Sequence, residues 1–408
     1  MIKLTIVGVT FSGNKGAAGM LESTIQNLSS RLGDVYFSVL SISPREDKDL
    51  NRYDTVSIFN SKPLYLACVI VPAAFIYRIL PLQPIQSMIE RFVPEIKEIN
   101  SSQAVLDEGG ITFSDGRELF LLFNIATILP GLLLGKKVIK VAQALGPFNN
   151  PINRLAAKIF LPRMHLIIAR GEKTMNYLKA LGLTNLVQGV DIAFALNNSE
   201  VNNNKLEKYI PEGKKQLVGI SPSVIINNNL KKEGRDYIKI LRTIINELTE
   251  KNYNIIIVPH SVRRNTLKEH NNDLPLSKEL YRQLEANPSV TFVDAELSAQ
   301  ELRFIIGKCD IFISSRFHAM VSSLKMGVPT IVLGWSHKYA EVLALFDIEK
   351  YALPYKQITF ESVMTLFDEI IANKETIHKK ITERLPPVIF QAQSSFEYII
   401  KIINKDTS

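Results

Sequence analysis

Four side chains with chemical capacity stand close together at Ser314, Ser315, Arg316 and His318. They lie between an apolar run at 311–313 and a helical pattern that ends at Gly327 and Pro329. Arginine presents a planar fork that holds carboxylate or phosphate through two parallel hydrogen bonds. Histidine donates or accepts a proton near neutral pH. A second apolar run at 330–333 is followed by Lys338, a further cation at the same kind of position. Strand, polar loop, helix, strand is the arrangement that places ligand-binding groups at the carboxyl end of an open α/β sheet. The competing interpretation makes Arg316 half of an ion pair and His318 a helix cap.

The N-terminal half repeats the pattern. The apolar run 2–9 leads into Gly13-Asn14-Lys15-Gly16-Ala17-Ala18-Gly19, a small-residue loop of a shape that admits phosphate, with Asn14 and Gly16 as candidates. It matches neither GxGxxG nor GxxxxGK[ST], and close backbone packing explains it equally well. Asp107-Glu108-Gly109-Gly110 follows the run 104–106; either acid is a candidate base or acceptor for a sugar hydroxyl, and the glycine pair permits positive φ. Gln143-Ala144-Leu145-Gly146-Pro147 follows 137–142, Arg170 follows 166–169, and Asp191 follows Gly189. Polar groups at five successive strand ends argue for a ligand cleft. From the second half, His260, Arg263 and Arg264 follow the run 254–258, while His165, His270 and His378 have no evident partners. No metal-ligand spacing, GxSxG elbow or nucleic-acid motif occurs, so no metal, no cofactor and no nucleic-acid partner is expected.

The elements that must position these groups alternate between strand and helix patterns, which predicts parallel sheets with both faces covered. At 408 residues the chain is long enough for two domains. The best linker is the polar, Asn-rich stretch 197–215. The domains expected are therefore 1–200 and 216–375, with 201–215 between them and helices at 376–408 that cross back. Lys and Arg outnumber Asp and Glu by 48 to 40, a balance that favours anionic partners or simply a solvated basic face. Two distant cysteines, Cys68 and Cys309, fit a reducing cytoplasm. The N-terminus reads as a first strand, not a leader. Segments 64–82 and 119–135 are strongly apolar, but Pro72 and Arg78 interrupt the first and Asn124 and Pro130 the second. They read as buried helices or as helices resting on a membrane interface, flanked by Lys62, Arg91, Lys136 and Lys137.

Taken in order, Asn14-Lys15-Gly16-Ala17, Asp107-Glu108-Gly109-Gly110, Gln143 to Pro147, Arg170, Gly189-Val190-Asp191, and the block from Asp310 through Arg316-Phe317-His318-Ala319 and Gly327-Val328-Pro329 to Lys338 resemble the polysaccharide pyruvyl transferase family. The resemblance implies a GT-B-like α/β fold, two Rossmann-like doubly wound domains facing a central cleft, with the acceptor on the first and the donor on the second. It implies transfer of pyruvate from phosphoenolpyruvate to a sugar as a ketal, on glycans of capsules, exopolysaccharides or cell walls, often lipid-linked. Phosphoenolpyruvate is then a substrate, and the enzyme works in the cytoplasm or at the inner face of the membrane. Arg316 would hold the donor with help from Arg170 or Lys338, His318 would be the general acid, and Asp191 or Asp107 the base. The remaining site candidates, Asn14, Gly16, Glu108, Gly109, Gly110, Gln143, Gly146, His260, Arg263 and Ser315, would bind substrate. Two departures fall on the acceptor side: Ala17 stands where many members carry Asp, and Glu108 lies beside a slot where a third Gly is common. Two other functions remain open: a GT-B glycosyltransferase using a nucleotide sugar, and a non-catalytic membrane-associated protein of glycan assembly. Self-association into a homo-oligomer is also open.

Overall fold

The structure, a computed structural model, describes residues 1–197, 205–263, 272–334 and 338–404. Its strands in chain order are β1 (Ile2–Val7), β2 (Gly13–Asn14), β3 (Val35–Ser41), β4 (Val56–Asn60), β5 (Ala104–Asp107), β6 (Lys137–Gln143), β7 (Leu166–Arg170) and β8 (Leu186–Gly189). They continue as β9 (Leu217–Ser221), β10 (Asn254–Ile257), β11 (Ser261–Val262), β12 (Val290–Phe292), β13 (Ile311–Ser314), β14 (Thr330–Gly334) and β15 (Ala352–Pro354). The chain forms two units. One contains 1–12, 17–196 and the chain from 390 onward; the other contains 13–16 and 197–389.

The first unit is built on a seven-stranded parallel sheet ordered β4-β3-β1-β5-β6-β7-β8. Helices cover both faces, so its central strands are apolar almost without interruption; β5 is buried at every residue. The strand order reverses between β1 and β5, the switch point at which ligands bind in such sheets. One large apolar cluster on this unit joins strand residues such as Val105 and Val138 to helices between 66 and 183.

The second unit has a six-stranded parallel sheet ordered β12-β10-β9-β13-β14-β15, with its switch point between β9 and β13. Ser314 pairs with Ser221 at the carboxyl ends of those two strands. The helix Phe317–Lys325 starts there, so Arg316 and His318 flank the switch point. Gly327, at φ 75°, ends that helix, where a left-handed residue is needed to turn the chain into β14.

Two expectations are revised. The loop after β1 was read as part of the first half, yet β2 pairs antiparallel with β11, Asn14 opposite Ser261, inside the second unit. The linker expected at 201–215 lies partly outside the described residues; within the described part, Leu206 and Tyr209 are buried in the core of the second unit. Both are large apolar groups in a polar stretch, and their burial outweighs the linker-like composition around them.

Candidate active site

Arg316 occupies the N-cap of the Phe317–Lys325 helix in an extended conformation. Its guanidinium grips Asp273 with two hydrogen bonds, Nε donating to Oδ2 at 2.6 Å and Nη2 donating to Oδ1. Asp273 is fully buried and also accepts from the backbone N–H of Val224 (3.0 Å) and of Ser261 (3.1 Å). The ion pair weighed against the anion site is therefore real, and it uses one edge of the fork. Nη1 makes no hydrogen bond to a described residue, which leaves one guanidinium N–H edge for a ligand.

His318 is half-buried, two residues further on. Its ring lies against Gly16 so closely that a β-carbon at residue 16 would overlap it; only glycine fits there. The same loop is held by the β2–β11 pairing, by Asn14 Oδ1 accepting from Gly16 N at 3.1 Å, and by Lys15 N donating to His260 O at 3.4 Å. Lys15 itself is 2% exposed and donates from Nζ to Glu296 Oε1 at 2.9 Å. Arg263 packs on Gly13, whose φ of 73° requires glycine, and its backbone is clasped by Asn272. Phe317 meets the His318 ring edge-on, and Lys338 Nζ sits 4.7 Å from the Phe317 centroid, a cation–π distance.

His260 is buried at 2% exposure, and its Nε2 has no hydrogen-bond partner among the described residues. Burial above all, then the charges of His318, Arg316, Arg303 and Lys15, hold its pKa well below the usual imidazole range. It is neutral at pH 7. Ser315, by contrast, is taken up structurally: its hydroxyl bonds the Tyr237 hydroxyl at 2.6 Å. Arg264, His270 and His337 lie outside the described residues.

In the first unit the sequence candidates do line the carboxyl ends of β5 to β8, but they bond chiefly to one another. Asp107 Oδ2 accepts from the buried Lys140 Nζ at 2.6 Å, and Lys140 also reaches Gln143 Oε1 and Thr112 Oγ1. Gln143 donates to the Asp107 carbonyl at 2.6 Å, and Gly109 N donates to Asp107 Oδ1 at 3.0 Å. Arg170 donates to Asp191 Oδ2 and to the Gly110 carbonyl, both at 2.7 Å, while Asp191 Oδ1 accepts from Ala193 N. Gly146, at φ 79°, packs its α-carbon on Tyr177. Asp107 and Asp191 are each paired with a buried cation, so a carboxylate oxygen of each is already committed. Charge pairing of this kind satisfies a network internally, where the sequence pattern suggested open ligand contacts.

Glu108 is different. It follows β5 at the switch point, is 1% exposed, and neither carboxylate oxygen has a hydrogen-bond partner among the described residues. Burial pushes its pKa up to about 8; the Thr24 hydroxyl opposes the rise and the Asp107 charge adds to it. A carboxyl in the unfolded chain titrates near 4.3. The folded state therefore keeps a proton that the unfolded state releases, so this group's stabilisation is complete below about pH 4 and is lost as pH rises toward 8. Across pH 5 to 8 that loss is on the order of 3 kcal/mol. Glu108→Gln removes the titration and is expected to flatten the pH dependence of the urea midpoint over this range; a profile identical to wild type would show that Glu108 is ionised in the fold.

Sequence reading passed over Asp273, Glu296 and Arg303 and gave Lys15 no role. Asp273 had one visible signal, its place just before Leu274-Pro275 at a helix start. The others are brought in by tertiary packing alone. Among the described residues no group of three His, Cys, Asp or Glu side chains is placed to hold a metal ion.

Two parallel sheets with these strand orders and polar switch points define a GT-B-like α/β protein. The fold is shared with a UDP-GlcNAc 2-epimerase from Neisseria meningitidis bound to UDP-GlcNAc (TM-score 0.65, 14% identity, 98% of this chain and 100% of that one). It is shared also with the S. aureus MnaA–UDP co-structure (TM-score 0.61, 12% identity, 98% of each chain). The chain belongs to the polysaccharide pyruvyl transferase family, whose profile matches residues 14–337. Among curated proteins it is similar to the amylovoran biosynthesis protein AmsJ of Erwinia amylovora, 19% identical over 400 residues, 93% of this chain and 94% of that protein.

Proposed function

We propose that this protein transfers the pyruvyl group of phosphoenolpyruvate to two hydroxyls of one sugar in an exopolysaccharide glycan, forming a ketal and releasing phosphate. The observation that carries this reading is the nearness of Arg316 and His318 within a cationic cluster of the second unit, in which Asp273 pairs with Arg316 and Glu296 with Lys15. A small trianion needs such a site.

In this mechanism the free edge of Arg316, assisted by Lys338, holds the donor's carboxylate or phosphate. His318 donates a proton to the methylene carbon, and the C2 centre becomes an oxocarbenium-like electrophile. The first sugar hydroxyl attacks C2 and gives its proton to neutral His260, which restores the proton count of the histidine pair. The second hydroxyl attacks C2 as the C–O bond to phosphate breaks, and its proton leaves with the phosphate. Assigning the base to His260 replaces the sequence expectation of Asp191 or Asp107, because both of those carboxylates are already paired. We place the acceptor on a lipid carrier and the reaction at the cytoplasmic face of the membrane, as expected for a glycan still under assembly.

Thermal shift distinguishes the donors. Phosphoenolpyruvate is expected to raise the melting temperature, by an amount equivalent to about 2.7 kcal/mol at a hundredfold excess over Kd, and Arg316→Lys to weaken that shift because the fork is lost. Stabilisation by a UDP-sugar and none by phosphoenolpyruvate would favour the nucleotide-sugar glycosyltransferase instead, a control suggested by the UDP-GlcNAc bound to the epimerase of shared fold.

A further inference from the structure

Exposed apolar side chains are not spread evenly over this protein. Among the described residues twenty large hydrophobic side chains lie exposed; eight fall in 64–92, three in 119–122 and three in 152–159. All three segments belong to the first unit. The helices Val71–Ile79 and Leu121–Leu133 pack on each other, as do Gln83–Phe92 and Pro94–Ser101, over one apolar cluster. The helix Pro151–Phe160 connects β6 to β7, one step along the sheet from the helix connecting β5 to β6, and right-handed crossovers put both on the same face. Its Ala156 and Ala157 join the same cluster. The exposed groups thus share the outer surface of one helical layer.

The Pro151–Phe160 helix shows how unusual that surface is. A surface helix normally turns its large apolar residues inward. Here the inward positions are Asn153, Ala156 and Ala157, whereas Ile152 (70% exposed), Leu155 and Ile159 point outward at helical spacing. Leu119 at 96% and Leu122 at 79% do the same at the start of the neighbouring helix. Charge around the three segments is mostly of one sign: Lys62, Arg78, Arg91, Arg154, Lys158 and Arg163 are exposed, and within 62–92, 118–122 and 151–163 the exposed carboxylate is Glu118. No helix among the described residues is long and apolar enough to cross a membrane.

We infer that this helical layer is a docking surface for an anionic lipid bilayer, with the aliphatic side chains entering the headgroup–acyl boundary and the cations lying among the headgroups. Apolar groups interleaved with arginine and lysine, whose stems are themselves apolar, suit an interface of that composition. The surface differs from the sequence expectation: only the start of 119–135 is exposed, and 83–92 and 151–160 supply much of the contact. The inference does not depend on the identity of the donor, so failure of phosphoenolpyruvate binding leaves it standing.

The test is flotation of the full chain with vesicles of phosphatidylcholine alone or with one-quarter phosphatidylglycerol, at low and moderate salt. The protein is expected to float with the anionic vesicles, at least tenfold more than with neutral ones, and more weakly as salt rises. Leu122→Glu/Leu155→Glu is expected to lower binding at least tenfold while its unfolding curve matches wild type, since both side chains are already in water. Arg78→Gln/Arg91→Gln is expected to lower binding to anionic vesicles only. Absence of wild-type flotation, or a solution dimer that the Leu122→Glu/Leu155→Glu pair converts to monomer, would overturn the proposal.

Discussion

Glutamine in place of His318 is expected to slow turnover by about 10²- to 10⁴-fold, the usual contribution of a general acid, while donor affinity stays close to wild type. The imidazole sits at the switch point of the second sheet, seated on Gly16 and bordered by Phe317. Glutamine keeps the approximate size and polarity of the ring but has no proton to give near neutral pH. A second signature separates a proton donor from a merely positioned group. The alkaline-limb descent of activity with rising pH, which follows loss of the imidazolium proton, should vanish from the residual rate of the variant. Single-turnover rates across pH 5 to 9 check both points. Turnover within a few-fold of wild type would remove His318 from the chemistry and move the search to Lys338 or Lys15.

The second large effect is on stability. Asp273→Ala is expected to cost about 3–5 kcal/mol, because it leaves the Arg316 guanidinium without its countercharge in a largely buried position. It also strips two backbone donors, Val224 N and Ser261 N, of their acceptor. Asp273→Asn keeps the shape and one acceptor oxygen, so it should cost less than alanine yet still loosen Arg316. In that variant donor affinity falls even under conditions where the protein is fully folded, which distinguishes orientation of Arg316 from simple unfolding. Urea unfolding of both variants, with donor titrations well below the transition, provides the comparison. A cost under about 1 kcal/mol for the alanine variant would mean that the pair is not formed in solution, since breaking a buried pair costs several times that.

Much of the molecule was legible in the chain. The central strands of both sheets are short, β-branched and apolar because helices cover both their faces, and that pattern announces itself. The strands that escaped notice, β4 and β15, lie at sheet edges, where one side is unpaired and the apolar signal is diluted: Ala352–Pro354 ends in proline. Of β8, also an edge strand and one that contains Gln188, only the end at Gly189 was visible. β2 and β11 are two residues each and exist only through pairing across almost 250 residues of sequence; no local pattern encodes that. The row of polar groups at strand ends was visible too. What sequence could not display was that Asp107 would close on Lys140, and Asp191 on Arg170, instead of facing outward.

By itself, the order of residues determined the two parallel sheets, the placing of Arg316 and His318 between a strand end and a helix start, and the family to which the chain belongs, because each follows from local spacing and periodicity. Tertiary structure alone decided that Gly16, from the far end of the chain, is the floor on which His318 rests, that Asp273 commits one edge of Arg316, that His260 is held neutral, and that large aliphatic groups of the first unit's helices point outward. Those outcomes depend on which side chains are close in space, and on the burial that makes a charge costly to leave unpaired.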